Sequence, residues 1–136
     1  MKLNTKHIGD TCEAMVIARL VQAGCSVLMP FGDNQRYDML VEHRKKLGTF
    51  LRIQCKTGRL RNDVIIFKTS SHTRGTGKTR SYSGEVDIFG VYCPETDSVY
   101  MIPARICGAS SMYLRVGESK NGQAERINWA SDYLFA

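Results

Sequence analysis

At 136 residues and 43% hydrophobic content, the chain is long enough for one domain with a packed core, and ordinary enough in composition to exclude a fibrous or disordered protein. No apolar run approaches the roughly 18 residues that span a bilayer, and Met1 to Thr11 lacks the apolar stretch of a secretory signal, so a cytoplasmic protein without a membrane partner is expected. The net charge of +6 is unevenly placed: from Arg44 to Arg80 eleven Lys or Arg stand against one acid, Asp63, a loading that suits a polyanion such as nucleic acid.

Lys6 to Ala23 is predicted to form the first helix, started by Asn4 or Thr5 as cap and ended by Gly24. Glu13 is followed by Val16, Ile17 and Leu20 at i+3, i+4 and i+7, so a carboxylate lies on the stripe that faces a sheet. Such an acid is held in an ion pair, snorkels to the surface, or serves as an acidic ligand. Cys25 to Phe31 reads as a short strand, and Gly32-Asp33-Asn34-Gln35-Arg36 as a polar loop. The five cysteines (Cys12, Cys25, Cys55, Cys93, Cys107) show no C-x-x-C pair and no neighbouring histidine, which excludes a zinc motif and suggests small apolar residues in a reducing compartment.

Tyr37 to Val41 and Phe50 to Lys56 are apolar-rich runs joined by Lys45-Lys46-Leu47-Gly48, the composition of a hairpin. Folded about residue 47, the hairpin sets Met39 opposite Cys55, Val41 opposite Ile53 and Asp38 opposite Lys56. Strand alternation then collects Met39, Val41, Leu51, Ile53 and Cys55 on one face, and Asp38, Gln54 and Lys56 on the other. An Asp opposite a Lys is also an ordinary cross-strand ion pair, worth a fraction of a kcal/mol, about 0.2–1. The helix carboxylate of Glu13 argues for more.

Arg59 to Asn62 reads as a basic turn and Asp63 to Lys68 as a strand. Thr69 to Gly84, rich in Ser, Thr, Gly, Arg and Lys, is predicted to be a mobile basic loop that orders on phosphates. Its Gly75-Thr76-Gly77-Lys78-Thr79 is no phosphate-binding loop, because the first glycine of that motif would fall on His72. Glu85 to Tyr92 and Ser98 to Pro103 are strands joined by a Pro94–Asp97 turn, with Asp87 read as an acid contacting a loop or strand edge. Met112 to Val116 is a late strand, Gly117 to Gln123 a polar turn, and Glu125 to Phe135 a short helix, with Ile127, Ala130 and Leu134 at helical spacing. A helix followed by strands without regular alternation indicates an α+β fold with a mixed sheet.

Tyr37-Asp38 followed by Gln54-Cys55-Lys56 has the spacing of the PD-(D/E)XK nucleases. The wider phrase from Leu28-Met29-Pro30-Phe31-Gly32-Asp33 through Lys56 resembles one branch of them, the homing endonucleases encoded in bacterial group I introns. The resemblance runs from the helix near Gly9 to about Pro103. It implies a restriction-endonuclease-like core (α+β, α/β/α-like), a mixed sheet flanked by helices, in a single domain over residues 1–136. It also implies a catalytic set of Glu13, Asp38, Gln54 and Lys56, in which Glu13, Asp38, Gln54 and the Cys55 main-chain carbonyl hold Mg²⁺, or Mn²⁺ as substitute. The implied partner is double-stranded DNA, contacted by Gln35, Arg36, Arg59, Arg61, Arg74, Lys78 and Arg80. A chain with one site that cuts two strands is expected to form a homodimer or homotetramer. The sequence departs from most of the superfamily at Gln54, where Asp or Glu is usual. An archaeal-type Holliday-junction resolvase, or a DNA-binding module with the fold and no turnover, would share these residues.

Overall fold

The computed structural model describes residues 2–72, 76–117 and 127–135. Helix α1, Thr5–Gln22, begins at Asn4, whose side-chain oxygen accepts the His7 N–H at 2.8 Å. It ends where Gly24 takes a φ of 84°, a left-handed turn that glycine adopts without steric cost. Its buried residues are Cys12, Val16 and Leu20, four apart along one face. No helix among the described residues is long and apolar enough to cross a membrane.

Among the described residues ten strands follow: β1 Val27–Leu28, β2 Met39–Glu42, β3 Phe50–Thr57, β4 Arg59–Arg61, β5 Val64–Lys68, β6 Ser70–His72, β7 Thr79–Ser81, β8 Ile88–Cys93, β9 Ser98–Pro103 and β10 Ser111–Arg115. The main sheet runs β1-β2-β3-β8-β9, and only β3 and β8 pair in parallel, so it is mixed as the α+β reading requires. Alternation divides its side chains between two cores. Met39, Val41, Ile53 and Val99 meet Cys12, Val16 and Leu20 of α1 on one face. Phe89, Val91 and Ile102 meet Ile65, Phe67, Met112 and Leu114 on the other. Among the described residues the second face is therefore covered by the small antiparallel sheet β10-β5-β4, and α1 is the one α-helix.

Gly90 on β8 lets α1 come close. A Cβ there would lie 3.1 Å from Val16 Cγ1 and 3.2 Å from Ile53 Cγ2, so a side chain would press the helix away from the strand that bears Lys56.

Four segments differ from the sequence reading. The β2–β3 hairpin pairs Met39 with Ile53 and Val41 with Leu51, a register two residues from the expected one, because its connection pivots at Lys46 through the Lys46 N–H to His43 and Thr49 N–H to Lys46 bonds. A slip of two leaves each side chain on its expected face, where a slip of one would have inverted the strand. Arg59 to Arg61 is strand rather than turn; the reversal falls on Asn62 and Asp63, both left-handed at φ 51° and 63°, as a two-residue hairpin of the favoured twist demands. The 69–84 segment, read as a loop, carries the β6–β7 hairpin, with Ser71 opposite Arg80 and with Thr69 and Tyr82 buried at its base. Residues 73–75 lie outside the described residues.

The fourth difference is at the C-terminus. Residues 127–135 are extended apart from one 3-10 turn, Ala130–Asp132, and they bond along β9 through Met101 N–H to the Tyr133 carbonyl and Phe135 N–H to the Val99 carbonyl, both 2.9 Å. The open edge of β9 offers main-chain partners, and satisfying them outweighs the helical spacing of Ile127, Ala130 and Leu134. Most of the expected 117–123 turn lies outside the described residues.

Candidate active site

Asp38 sits at the point where the chain enters β2. Its N–H donates to the Ile53 carbonyl at 2.8 Å, and its Oδ2 accepts the Cys55 N–H, also at 2.8 Å. The carboxylate thus takes a β3 amide near the end of the β2–β3 pairing. Burial pushes its pKa up, against the opposing pull of the Cys55 amide and the Lys56 charge. Glu13 reaches the same region from α1, half-buried on the helix face beside Val16. Its pKa is raised first by burial, then by repulsion from Asp38 and Asp10. The ion pairs among the described residues join Arg36 and Arg80 to Glu85, Arg52 to Asp87, and Arg59 to Glu95, so neither Glu13 nor Asp38 has one.

Lys56 and Gln54 project from the face of β3 opposite to α1. Asp38 and Lys56 do not form the cross-strand pair expected from the sequence, since the observed register leaves Lys56 beyond the β2 pairing. The Lys56 Nζ instead lies 3.2 Å from Tyr82 Oη, 3.3 Å from the Ser70 carbonyl and 4.7 Å from the centroid of the Tyr82 ring. The Gln54 Nε2 is 3.5 Å from the Cys55 carbonyl oxygen, the limit of a hydrogen bond. The Cys55 thiol points to the helix side, and its pKa is raised by the Cys12 thiol and by burial. Only its main-chain carbonyl is therefore suited to a metal.

These donors fit a hard divalent cation. Two carboxylates whose charge burial disfavours, an amide and a main-chain carbonyl make an all-oxygen set, and no group of three His, Cys, Asp or Glu side chains among the described residues forms a softer alternative.

The candidate DNA contacts do not gather in one place. The Arg36 guanidinium donates to Ser71 Oγ at 2.8 Å and to the Ser81 and Arg80 carbonyls at 2.9 and 3.3 Å. Its Nε lies 3.2 Å from Glu85 Oε2 without the alignment of a hydrogen bond, and Arg80 reaches Glu85 Oε1 at 3.1 Å. Arg36 and Arg80 thus adjoin Lys56 through the β6–β7 hairpin. Arg59, 3.8 Å from Glu95, and Arg61 lie on β4; Gln35, Arg61 and Lys78 are exposed; Arg74 lies outside the described residues. Asp87 accepts the Arg52 N–H at 2.7 Å and the Arg52 Nε and Nη2, both at 3.0 Å, which lowers its pKa and agrees with the structural role read for it. The residue passed over in the sequence is Tyr82, whose only signal is to be the sole aromatic in a polar segment.

A family model described as PD-(D/E)XK endonuclease matches residues 3–136. No curated protein matches the sequence. Among solved structures, the chain is similar to a bacterial homing endonuclease, I-Ssp6803I, at a TM-score of 0.73 and 24% identity, over 97% of this chain and 89% of that one. At that identity the likeness speaks for the fold, in agreement with the mixed sheet and α1. With nearly its whole length matched, the chain belongs to the PD-(D/E)XK endonuclease family, nucleases that act on DNA and generally use divalent metal ions.

Proposed function

We propose that this chain, acting over residues 1–136 as one nuclease unit, is a site-specific endonuclease of double-stranded DNA of the intron-homing kind, with Mg²⁺ as its working ion. The observation that carries this reading is the gathering about β3 of two carboxylates with no ion pair among the described residues, Glu13 within the field of Asp38 and Asp38 within that of Lys56. Glu13, Asp38 and the Cys55 carbonyl would hold the ion, with the Gln54 amide turned to offer its oxygen. When bound, a hard divalent cation supplies Lewis acidity toward water and stabilises charge on the phosphoryl and leaving oxygens. Lys56, with three N–H donors, orients the attacking water and offsets the negative charge that develops in the transition state.

Gln35, Arg59, Arg61, Arg74 and Lys78 are the proposed phosphate contacts, while Arg36 and Arg80 first serve the β6–β7 hairpin. One such site per chain makes a homodimer or homotetramer the assembly that cuts both strands. The reading is tested by incubating the protein with linear duplex, four-way-junction and random-sequence DNA, in Mg²⁺ or in EDTA. Cleavage of linear duplex at a defined site, dependent on Mg²⁺, is expected. Cleavage confined to the junction would assign a resolvase, and binding without cleavage of any substrate would assign a DNA-binding module.

A further inference from the structure

The ammonium of Lys56 is held by a segment that the catalytic motif does not include. Tyr82 follows β7, 26 residues beyond Lys56, yet it gives the ammonium both its hydroxyl, at 3.2 Å, and its ring face, with 4.7 Å to the centroid. Ser70, at the start of β6, adds its carbonyl at 3.3 Å. The ring itself is fixed. It is 6% exposed, and it meets Phe89 edge-on with centroids 5.8 Å apart and an interplanar angle of 82°. The Arg36 guanidinium carbon lies 4.0 Å from the same centroid, so two cations share one ring. Glu85, against Arg36 and Arg80, offsets the repulsion between them and ties the hairpin down.

A lysine side chain has four rotatable bonds, so holding it still costs rotamer entropy that its partners must offset. A burial role for Tyr82 would need neither the hydroxyl contact nor a cation over the ring. We propose that Tyr82 is a positioning residue for phosphodiester cleavage, holding the Lys56 ammonium in place through ring face and hydroxyl, with Arg36 and Glu85 fixing the hairpin that carries it. This rests on the nuclease reading and on Lys56 as the catalytic cation. It makes Tyr82 and the β6–β7 pairing that leads to it part of the catalytic apparatus.

The test compares Tyr82→Phe and Tyr82→Leu with the parent protein. It measures single-turnover cleavage at saturating DNA in Mg²⁺, DNA affinity in Ca²⁺, thermal melting, and the NMR shifts of the Lys56 side-chain methylenes, assigned with Lys56→Arg. In the parent, the ring current of Tyr82 is expected to shift the methylenes next to the ammonium from their free-lysine positions. Tyr82→Leu is expected to abolish that shift and slow cleavage about 10- to 100-fold at saturation, with affinity within a few-fold, the cost of a misplaced catalytic group. Tyr82→Phe is expected to keep the shift and lose only about 5-fold in rate, the net worth of one ordinary hydrogen bond. A folded Tyr82→Leu that cuts at the parent rate would overturn the proposal. If Tyr82→Leu does not fold, unshifted Lys56 methylenes in the parent, or a Tyr82→Phe rate equal to the parent's, would overturn it instead. Absence of any cleavage by the parent would sink the nuclease reading, and a parent-like rate for Lys56→Ala would remove Lys56 as the catalytic cation and the proposal with it, while the NMR shift would still report whether Tyr82 holds Lys56.

Discussion

The two halves of the candidate site are held in opposite ways. Lys56 is supplied with partners: a hydroxyl, a main-chain carbonyl and an aromatic face, all from the β6–β7 hairpin and the residues beside it. Glu13 and Asp38 are not. Each is pushed toward its protonated form by burial, Glu13 feels the charge of Asp38, and the Cys55 amide is the one strong hydrogen bond between them. The same protein pairs Asp87 fully with Arg52 a short way along β3, so an unpaired acid here is not for want of arginines. On the proposed reading, the acidic half is left for a group from outside the chain to complete, and the basic half is completed by the chain itself.

The largest effect that sharpens this contrast is expected from Lys56→Ala. Cleavage should fall by more than about 100-fold, as when one preorganised electrostatic group is removed from a transition state, with DNA affinity within a few-fold and melting little changed. A parent-like cleavage rate would reduce the ammonium to a structural partner of Tyr82. Next is Gly90→Ala, which acts on the acidic half through α1. The added methyl meets Val16 and Ile53, so a destabilisation of about 1–3 kcal/mol by denaturant melting is expected, together with slower cleavage as α1 and Glu13 are displaced. Unchanged stability would mean that α1 yields without cost.

A smaller effect concerns pH. Asp38 and Glu13 have folded-state pKa values above their ordinary 3.8 and 4.5, so the folded protein binds these protons more tightly than the unfolded chain does. Their contribution is therefore unfavourable: absent below the ordinary values and fully developed above the raised ones, so that it costs stability as pH rises through this window. Asp38→Asn keeps an oxygen for the Cys55 amide and removes the charge. In metal-free solution it should melt a few degrees above the parent at neutral pH, and this advantage should shrink on acidification until the two coincide. An advantage independent of pH would contradict the account. The smallest effect is expected from Gln54→Glu, which adds a charged oxygen to the metal's side of β3 and should raise affinity for Mn²⁺ by a few-fold in calorimetry. A loss of fold there would mean that the amide is needed where it lies, against the Cys55 carbonyl.

Much of this was legible in the chain because the signals were local. Asn4 and Gly24 bound α1, and strand alternation sorted Gln54 and Lys56 from Met39, Ile53 and Cys55 even though the register was displaced, since a two-residue slip preserves faces. The β6–β7 hairpin was not legible. Ser70 to His72 and Thr79 to Ser81 show no apolar alternation, and what holds them is Arg36, more than thirty residues upstream, reaching Ser71 and the Arg80 and Ser81 carbonyls. The C-terminal segment misled for the converse reason. Its apolar spacing suits a helix, but the fold offers it the unpaired edge of β9, which no property of residues 127–135 announces. Tyr82 belongs with these, because its meaning lies in Lys56 and Arg36 and not in its neighbours.

The contrast between the two halves is tested most directly by calorimetric titration of Mn²⁺ into the parent protein, Asp38→Asn and Lys56→Ala. The parent should bind saturably, Asp38→Asn should lose at least about 10-fold in affinity, and Lys56→Ala should bind as well as the parent or more tightly, since a cation near the site has been removed. Equal affinity in Asp38→Asn and the parent would contradict the account, because the acids would then be unpaired for some reason other than a metal.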